Sequence, residues 1–485
     1  MDASGGTAPD LAAFRQHAER AAALVRARPR GTRWLLSCDT DADGLCAAAV
    51  AFAALTKAGH RATVRASRDK TEAFYRRLAA EETDGHVLLD KGTSHADWLA
   101  EHARDSGRTV LLVDHHNLVG PVPEAPGFAM LNPRAAGLDG SHDASASTTA
   151  LALALALLGE GALKLGPVAL SGAIGDWQHM PRWQGWNLEV LQRCRAAGHV
   201  RDVPLPNLIG ADLAHAASQA RPPIPGLEGD LAAARAWVEG LGLPVEAEAE
   251  DLDRAQRTRL VSAIATRHLA AGRPDNVPHA IAATEWNAAK DQGLRQVFRI
   301  VDACGREGEH ATGIAYLLGD GGATAQATAI FTRYRQAVAA GLTALQEQGT
   351  RRETAIQWAW TERADYTGMV AGLGMVHGVQ DRLRPLCVLA RRADGQVQVS
   401  TRGLPQMVGS GLDLGRATAH AARHVGAEGG GHPVAAGAVV PAGQVEAFLR
   451  ALDEAVAAQL RAHPAPGGGA AGMPPAAAPA GEGMA

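Results

Sequence analysis

At 485 residues the chain is too long for a single core, so two or three domains are expected. Its 46% hydrophobic and 20% charged residues are those of a soluble globular protein, and a net charge of -4 excludes a global basic field as a grip on nucleic acid, though not a local arginine patch. Five cysteines with no C-x-x-C pair exclude a zinc module and a disulfide framework, and fit a reducing cytoplasm.

The opening MDASGGTAPDLAAF has no basic start followed by an apolar run, so no secretory signal is expected. The longest apolar stretch, 150–158, is about half of what a bilayer span needs, which predicts a cytoplasmic protein without a membrane partner. RWLLSC (33–38) reads as a buried strand, followed by a helix from about Gly44 to Gly59. HVLLD (86–90) and RTVLLVD (108–114) are further short apolar runs, each ending in Asp, with a helix between them from about Ser94 to Asp105. Strands alternating with helices predict a parallel sheet with helices on both faces. Ligands of such sheets bind beyond the carboxyl ends of the strands, where Asp39, Asp90 and Asp114 fall.

An Ala-rich helix is expected over 144–159, capped by Ser145 or Ser147, and an apolar helix over 167–178 runs to Asp176. Residues 201–276 read as a polar, then helical bridging region. From 277 to 463 strands and helices mix (HAIAAT, QWAW, LCVLARR, QVQVSTR, PVAAGAVV), predicting a second, smaller α/β domain. The Pro/Gly/Ala-rich tail, 464–485, reads as disordered, and residues 1–30 as an N-terminal extension before a domain spanning 31–200.

The segment CDTDADG (38–44) places Asp39, Asp41 and Asp43 at alternate positions, where like charges repel. A calcium loop would need Glu at the twelfth position from Asp39, and Val50 stands there. LLDKG (88–92), LLVDHHN (111–117) and AIGDWQ (173–178) add Asp90, Asp114, His115, His116 and Asp176. Carboxylates with one or two imidazoles at strand ends are what a pair of hard divalent cations requires, Mn2+ or Mg2+ rather than thiolate-preferring metals. Each piece alone is more often a turn or a cap, and Asp43 is equally placed to cap the helix near Gly44. EGGGHPVAAG (428–437) offers Gly429, Gly430 and Gly431 as bare backbone for a phosphate, with His432 and Arg402 as phosphate holders, against the alternative of a flexible hairpin. Trp177, Trp183 and Trp186, with Arg182, are equally suited to stack bases or to fill a core. Arg391 and Arg392 are open between surface and groove.

On these motifs the chain resembles the DHH-family phosphoesterases of the RecJ type, named for the Asp-His-His at 114–116. The four acidic segments match the family's N-terminal motifs in order, VSTRG (399–403) and GGGHPVAAG match its accessory DHHA1-like domain, and the similarity spans roughly 30–460. NPRAAGLDG, GWNLEVLQ and RPPIPGLEGD are similar to the archaeal RecJ-like nucleases, which associate with replication factors. The resemblance implies an N-terminal parallel-sheet catalytic domain. It also implies two ions held by Asp39, Asp41, Asp90, His115 and Asp176, with Asp90 between them, and Asp90, His115 and His116 serving catalysis. Asp114 would orient a histidine. Many relatives carry a histidine at or before the position of Asp39, where this chain has none. The implied activity is hydrolysis of single-stranded DNA or RNA to mononucleotides in repair or replication, with replication or repair proteins as partners. The competing readings are cleavage of short oligoribonucleotides or cyclic dinucleotides, an inorganic pyrophosphatase, and an idle replisome scaffold.

Overall fold

The computed structural model describes residues 11–462 except 181, 207, 209–211, 221, 376–380 and 382, so the expected disordered tail lies outside the described residues. The chain divides into two compact units between Arg335 and Gln336, which puts residue 277, the expected domain boundary, inside the first.

The first unit begins with helix α1 (Leu11–Arg26), then alternates strand and helix: β1 (Arg33–Cys38), α2 (Ala42–Lys57), β2 (Arg61–Ala66), α3 (Glu72–Ala79), β3 (Gly85–Leu89), α4 (Ala96–Ser106), β4 (Thr109–Val113) and β5 (Phe128–Leu131). The five strands form a sheet of order β2-β1-β3-β4-β5, and every pairing is parallel. The uninterrupted burial of β3 and β4 is the mark of strands covered on both faces. On one face Phe74, Tyr75 and Leu78 of α3 and Leu99, Ala100 and Ala103 of α4 close over Leu35, Leu88, Val110 and Leu112. The chain leaves β1 for β2 on one side and later enters β3 on the other. The connections therefore diverge and open a crevice beyond the carboxyl ends.

Two later helices, α5 (Ala146–Leu158) and α6 (Gly166–Gly175), pack with α2. Every residue of α2 from Ala42 to Ala51 and of α5 from Ala146 to Ala154 is buried, which explains their Ala-rich, unpatterned sequences. Ser145 caps α5 in a reciprocal pair with Thr148, so of the two candidate caps the first is used. The span Ala146–Gly175 is apolar and long enough to cross a membrane, but half of its apolar window is buried among these helices. Helix α7 (Gly185–Ala196) follows.

The bridging region carries its own core, in which Leu213, Ile224, Leu227, Val238, Leu260 and Ile264 meet. Its strand β6 (Val200–Pro206) pairs antiparallel with β7 (Ile281–Asn287), and β7 with the short β8 (Gln292–Gly293). HAIAAT thus enters a small separate sheet. The helix Leu294–Arg306 then packs against α6 and α2, and the helix Gly321–Gln348 carries the chain across the division.

In the second unit β9 (Arg351–Arg352), β10 (Gln357–Trp360), β11 (Leu386–Arg391), β12 (Gln396–Arg402), β13 (Glu428–His432) and β14 (Ala435–Pro441) form a sheet of order β13-β14-β12-β11-β10-β9. Only β10 and β11 pair in parallel. Leu414, Ala417 and Ala421 of one helix and Phe448, Leu449 and Leu452 of another cover one face through Leu389, Val397, Val399, Ala438 and Val440.

One buried group makes the first unit acid-sensitive. His86 on β3 is 2% exposed, and its Nδ1 has no hydrogen-bond partner among the described residues. Burial first, then Arg108 and His102, lowers its pKa from 6.5 to about 4. The folded state therefore refuses a proton that the unfolded chain accepts, so stability is lost as pH falls from about 6.5 to about 4. The expected loss from this group between about pH 7 and pH 5 is about 2 kcal/mol. Urea melts of His86→Phe should lose correspondingly less over that range than wild type; equal losses would contradict the assignment.

Candidate metal centre

The acidic residues converge because the sheet aligns the ends of β1, β3 and β4. Asp39, immediately after β1, accepts the Thr40 N–H at 2.7 Å and an ion pair from Lys70 Nζ at 2.6 Å. Asp41 caps α2, accepting the Gly44 N–H at 3.0 Å. The residue is exposed to solvent, although its carboxyl is closely surrounded by protein. Burial, then the charge of Asp39, raises its carboxyl above the ordinary range.

Asp90, just after β3, is 2% exposed and held at φ 60°, a conformation that non-glycine residues seldom adopt. Its Oδ1 has no hydrogen-bond partner among the described residues. His115 Nε2 stands 3.3 Å from that oxygen and 3.3 Å from Asp176 Oδ2. Nδ1 of His115 faces the Gly140 carbonyl at 2.6 Å, which assigns the proton to Nδ1 and leaves Nε2 as the ligand atom. Gly140 must be glycine, because a Cβ there would lie 2.0 Å from the His115 carbonyl oxygen. The Gly140 carbonyl also accepts Gln178 Nε2 at 3.0 Å, Gln178 Oε1 accepts Asn187 Nδ2 at 2.8 Å, and Thr148 donates to Asn187 at 2.7 Å.

Asp114 is fully buried and accepts the Thr93 hydroxyl at 2.6 Å, the Thr93 N–H at 3.1 Å and the His115 N–H at 2.8 Å. His116 Nδ1 approaches it at 2.6 Å, so Asp114 fixes His116 and leaves its Nε2 free of that bond. Burial alone would raise the Asp114 carboxyl. The His116 hydrogen bond, the two histidines and Thr93 outweigh burial and hold it well below the carboxylate range.

Asp43 faces elsewhere than its sequence suggests. It accepts Ser145 Oγ at 2.8 Å, the Ala146 N–H at 2.7 Å and the Ser147 N–H at 3.1 Å, and it contacts the Ser147 hydroxyl. It therefore binds the N-terminus of α5 rather than capping the helix in which it lies.

Three sets of potential ligand atoms result: Asp39, Asp41 and Asp90; Asp90, Asp114, His115 and His116; and Asp43, His115 and Asp176. Within each set the atoms lie within 4.8 Å of one another. Burial, then neighbouring carboxylates, raises Asp90 and Asp176 well above the carboxylate range. Burial opposes charge on His115, but Asp90 and Asp176 more than offset it and raise its pKa. An oxygen-rich set with an unpartnered buried carboxylate oxygen fits a hard divalent cation.

Cations beside the cluster escaped the sequence reading. Arg68 Nε donates to Thr40 Oγ1 at 2.9 Å, and Lys70 pairs with Asp39 as above. Arg306, bonded to Asp302 at 2.6 Å, has Asp41 among the carboxylates that raise its pKa. Its helix rests on the first acidic loop, since a Cβ on Gly305 would lie 2.0 Å from Thr40 O. The only signals were basic residues in SRDK and GREGEH, which nothing local ties to the aspartates. The tryptophans separate: Trp186 is 1% exposed and donates to Thr148 O, Trp183 is partly buried and donates to Glu285, and Trp177 is 71% exposed.

Arg402 and His432 lie in the second unit. Both pair with Ala435, from opposite sides of β14, so they share one end of the sheet two strands apart. Arg402 Nη1 donates to Thr401 O at 2.9 Å, and His432 is exposed. Gly429 and Gly430 precede Gly431 on β13. At φ 147°, a Cβ on Gly431 would lie 2.5 Å from Ala435 O.

Known proteins place this arrangement. The family model "DHH family, N-terminal domain" matches residues 35–170, and "DHHA1 domain" matches 374–458. An uncharacterised protein of Methanocaldococcus jannaschii is 24% identical over 383 residues, 77% of this chain and 81% of its own. A structure of exonuclease RecJ bound to manganese superposes with a TM-score of 0.57 at 18% identity, over 91% of this chain and 94% of that one. RecJ of Thermus thermophilus in complex with Mn2+ gives 0.57 at 19%, over 93% of this chain and 56% of its own. CDC45 of Entamoeba histolytica gives 0.60 at 10%, over 92% and 99%. These structural likenesses speak for the fold, a mixed α/β architecture with an N-terminal parallel sheet. The chain thus carries a DHH-type N-terminal domain and a DHHA1-type domain in that order, on a fold similar to that of RecJ.

Proposed function

We propose that this protein is a metal-dependent phosphodiesterase that degrades single-stranded DNA or RNA from an end to mononucleotides, in repair or replication. One observation carries the reading: Asp90 belongs to two distinct ligand sets, as a carboxylate bridging two cations would. Two Mn2+ or Mg2+ ions held by Asp39, Asp41, Asp90, His115 and Asp176 would polarise a phosphodiester and lower the pKa of water. Asp114 orients His116, whose free Nε2 is suited to a substrate phosphate. Asp43, though within reach of His115 and Asp176, is read as the anchor of α5 rather than as a ligand. Lys70, Arg68 and Arg306 supply positive charge on the first unit. In the second, Arg402, His432 and the backbone of Gly429, Gly430 and Gly431 grip a phosphate through charge-assisted hydrogen bonds. Contacts with replication or repair proteins and a cytoplasmic site of action belong to the same reading. An idle scaffold has no use for a buried repulsive cluster, and the CDC45 likeness concerns fold alone.

The test is hydrolysis of end-labelled single-stranded DNA and RNA of several lengths. Chelation should abolish cleavage and Mn2+ restore it, with mononucleotides as the product. Full activity in excess chelator would overturn the metal reading. Cleavage confined to the shortest oligomers would favour the oligoribonucleotide alternative.

A further inference from the structure

Beside the cluster a tryptophan is held in solvent at a conformational cost. Trp177 has φ 60°, which for a bulky residue is a genuine outlier, and it is 71% exposed. Its neighbours explain why it stays there. Asp176 Oδ2 lies 3.3 Å from His115 Nε2, and Gln178 Nε2 lies 3.4 Å from His115 Nδ1. Residues 176 and 178 thus both lie against one imidazole, and Gln178, 1% exposed, is fixed by its hydrogen bonds with Gly140 and Asn187. The backbone between them is clamped, and the residue in the middle is turned outward at the rim of the centre. The His179 ring lies against the indole, centroids 6.2 Å apart and planes 21° apart, and Trp183 continues the row at 5.9 Å. Burial lowers His179 to about 4, so it backs the indole as a neutral ring.

A packing role does not account for a clamped, exposed indole, because burial would then stabilise it. Strain retained beside a chemical site is a feature of substrate-holding residues. Resting on the phosphodiesterase reading above, we propose that Trp177 is the stacking platform for the nucleobase of the nucleotide whose phosphate is cleaved. Its Cα is about 3.8 Å from that of Asp176, so a phosphate at the cluster brings its own nucleoside to this rim. A π-face reads no hydrogen-bond pattern, so the platform accepts any base and selects against a sugar-phosphate that lacks one.

The experiment compares a short single-stranded DNA with the same strand carrying an abasic residue at the cleaved end, both with Mn2+. Wild type should prefer the intact end by roughly five- to a hundredfold in kcat/KM. Trp177→Ala should erase that preference, and Trp177→Phe should keep most of it. Metal titration by calorimetry should show all three proteins loading equally. An equal loss on both substrates, or no loss on either, would overturn the proposal. If wild type cleaves neither strand, the nuclease reading fails, and the platform is judged by tryptophan fluorescence alone. Intact oligomer should then quench wild type more than Trp177→Ala, and quenching equal to that by the abasic strand would assign the indole to another partner.

Discussion

Asp90→Asn is expected to lower kcat/KM by roughly a thousandfold or more, about 4 kcal/mol of barrier, without loosening the fold. The carboxylate is buried, its Oδ1 has no hydrogen-bond partner among the described residues, and Asp41 presses on it with like charge. In the metal-free protein that charge is a burden, so a neutral isostere should leave the melting temperature of the apoprotein unchanged or higher. With Mn2+ the order reverses. Wild type should gain stability from the ion, because ligand binding to the native state adds RT ln(1 + [L]/Kd). The variant should gain little. Calorimetric melts with and without Mn2+, run beside the activity assay, check both halves. A variant with near wild-type turnover would show that the second acidic motif is not the shared ligand.

Asp43→Ala should behave in the opposite way, costing roughly 4 kcal/mol of stability regardless of metal. Asp43 is 0% exposed and accepts hydrogen bonds from the Ser145 hydroxyl and the Ala146 and Ser147 N–H groups at 2.7–3.1 Å, and a fourth from the Ser147 hydroxyl. Removing it strands those donors in the core at the positive end of α5. No water reaches the place easily, since a Cβ on Gly172 would already lie 2.7 Å from Asp43 Oδ1. Urea unfolding of the chelated protein isolates this effect. A loss below about 1 kcal/mol would mean that the carboxylate is dispensable to the fold. Asp39, Asp41 and Asp43 alternate in one heptapeptide, yet the last accepts hydrogen bonds from the start of α5 while the other two share a potential ligand set with Asp90.

That division shows where sequence reasoning stops. The ends of β1, β3 and β4 were legible because a buried parallel strand is a continuous apolar run, and an aspartate closing such a run stands out. β2 was not expected: RATVRA is an edge strand whose residues alternate between exposed and half-buried, so it lacks an apolar core. Strand β6, VRDVPLP, carries two prolines that argue against a strand. It is tolerated at the margin of a three-stranded sheet. The partner of Asp43 lies about a hundred residues away along the chain, so no local pattern could separate a ligand from a cap. Trp177 and Trp186 sit in the same polar stretch, and only the fold turns one outward and buries the other. Arg306 reaches the first acidic loop through a helix from a region that reads as the opening of another domain.

The strand order has a consequence for how the protein matures. The candidate ligands run from Asp39 to Asp176 and come from the tips of three neighbouring strands and the end of α6. No fragment that stops short of residue 176 holds all of them, and β1 meets β3 only after the chain has travelled out to β2 and back. Such non-local parallel pairing forms slowly. A nascent chain therefore offers a divalent ion no complete cage until residue 176 has been synthesised and the sheet has closed. On the metal reading proposed above, ion capture is a late step in folding, a latch on a sheet already assembled rather than its nucleus.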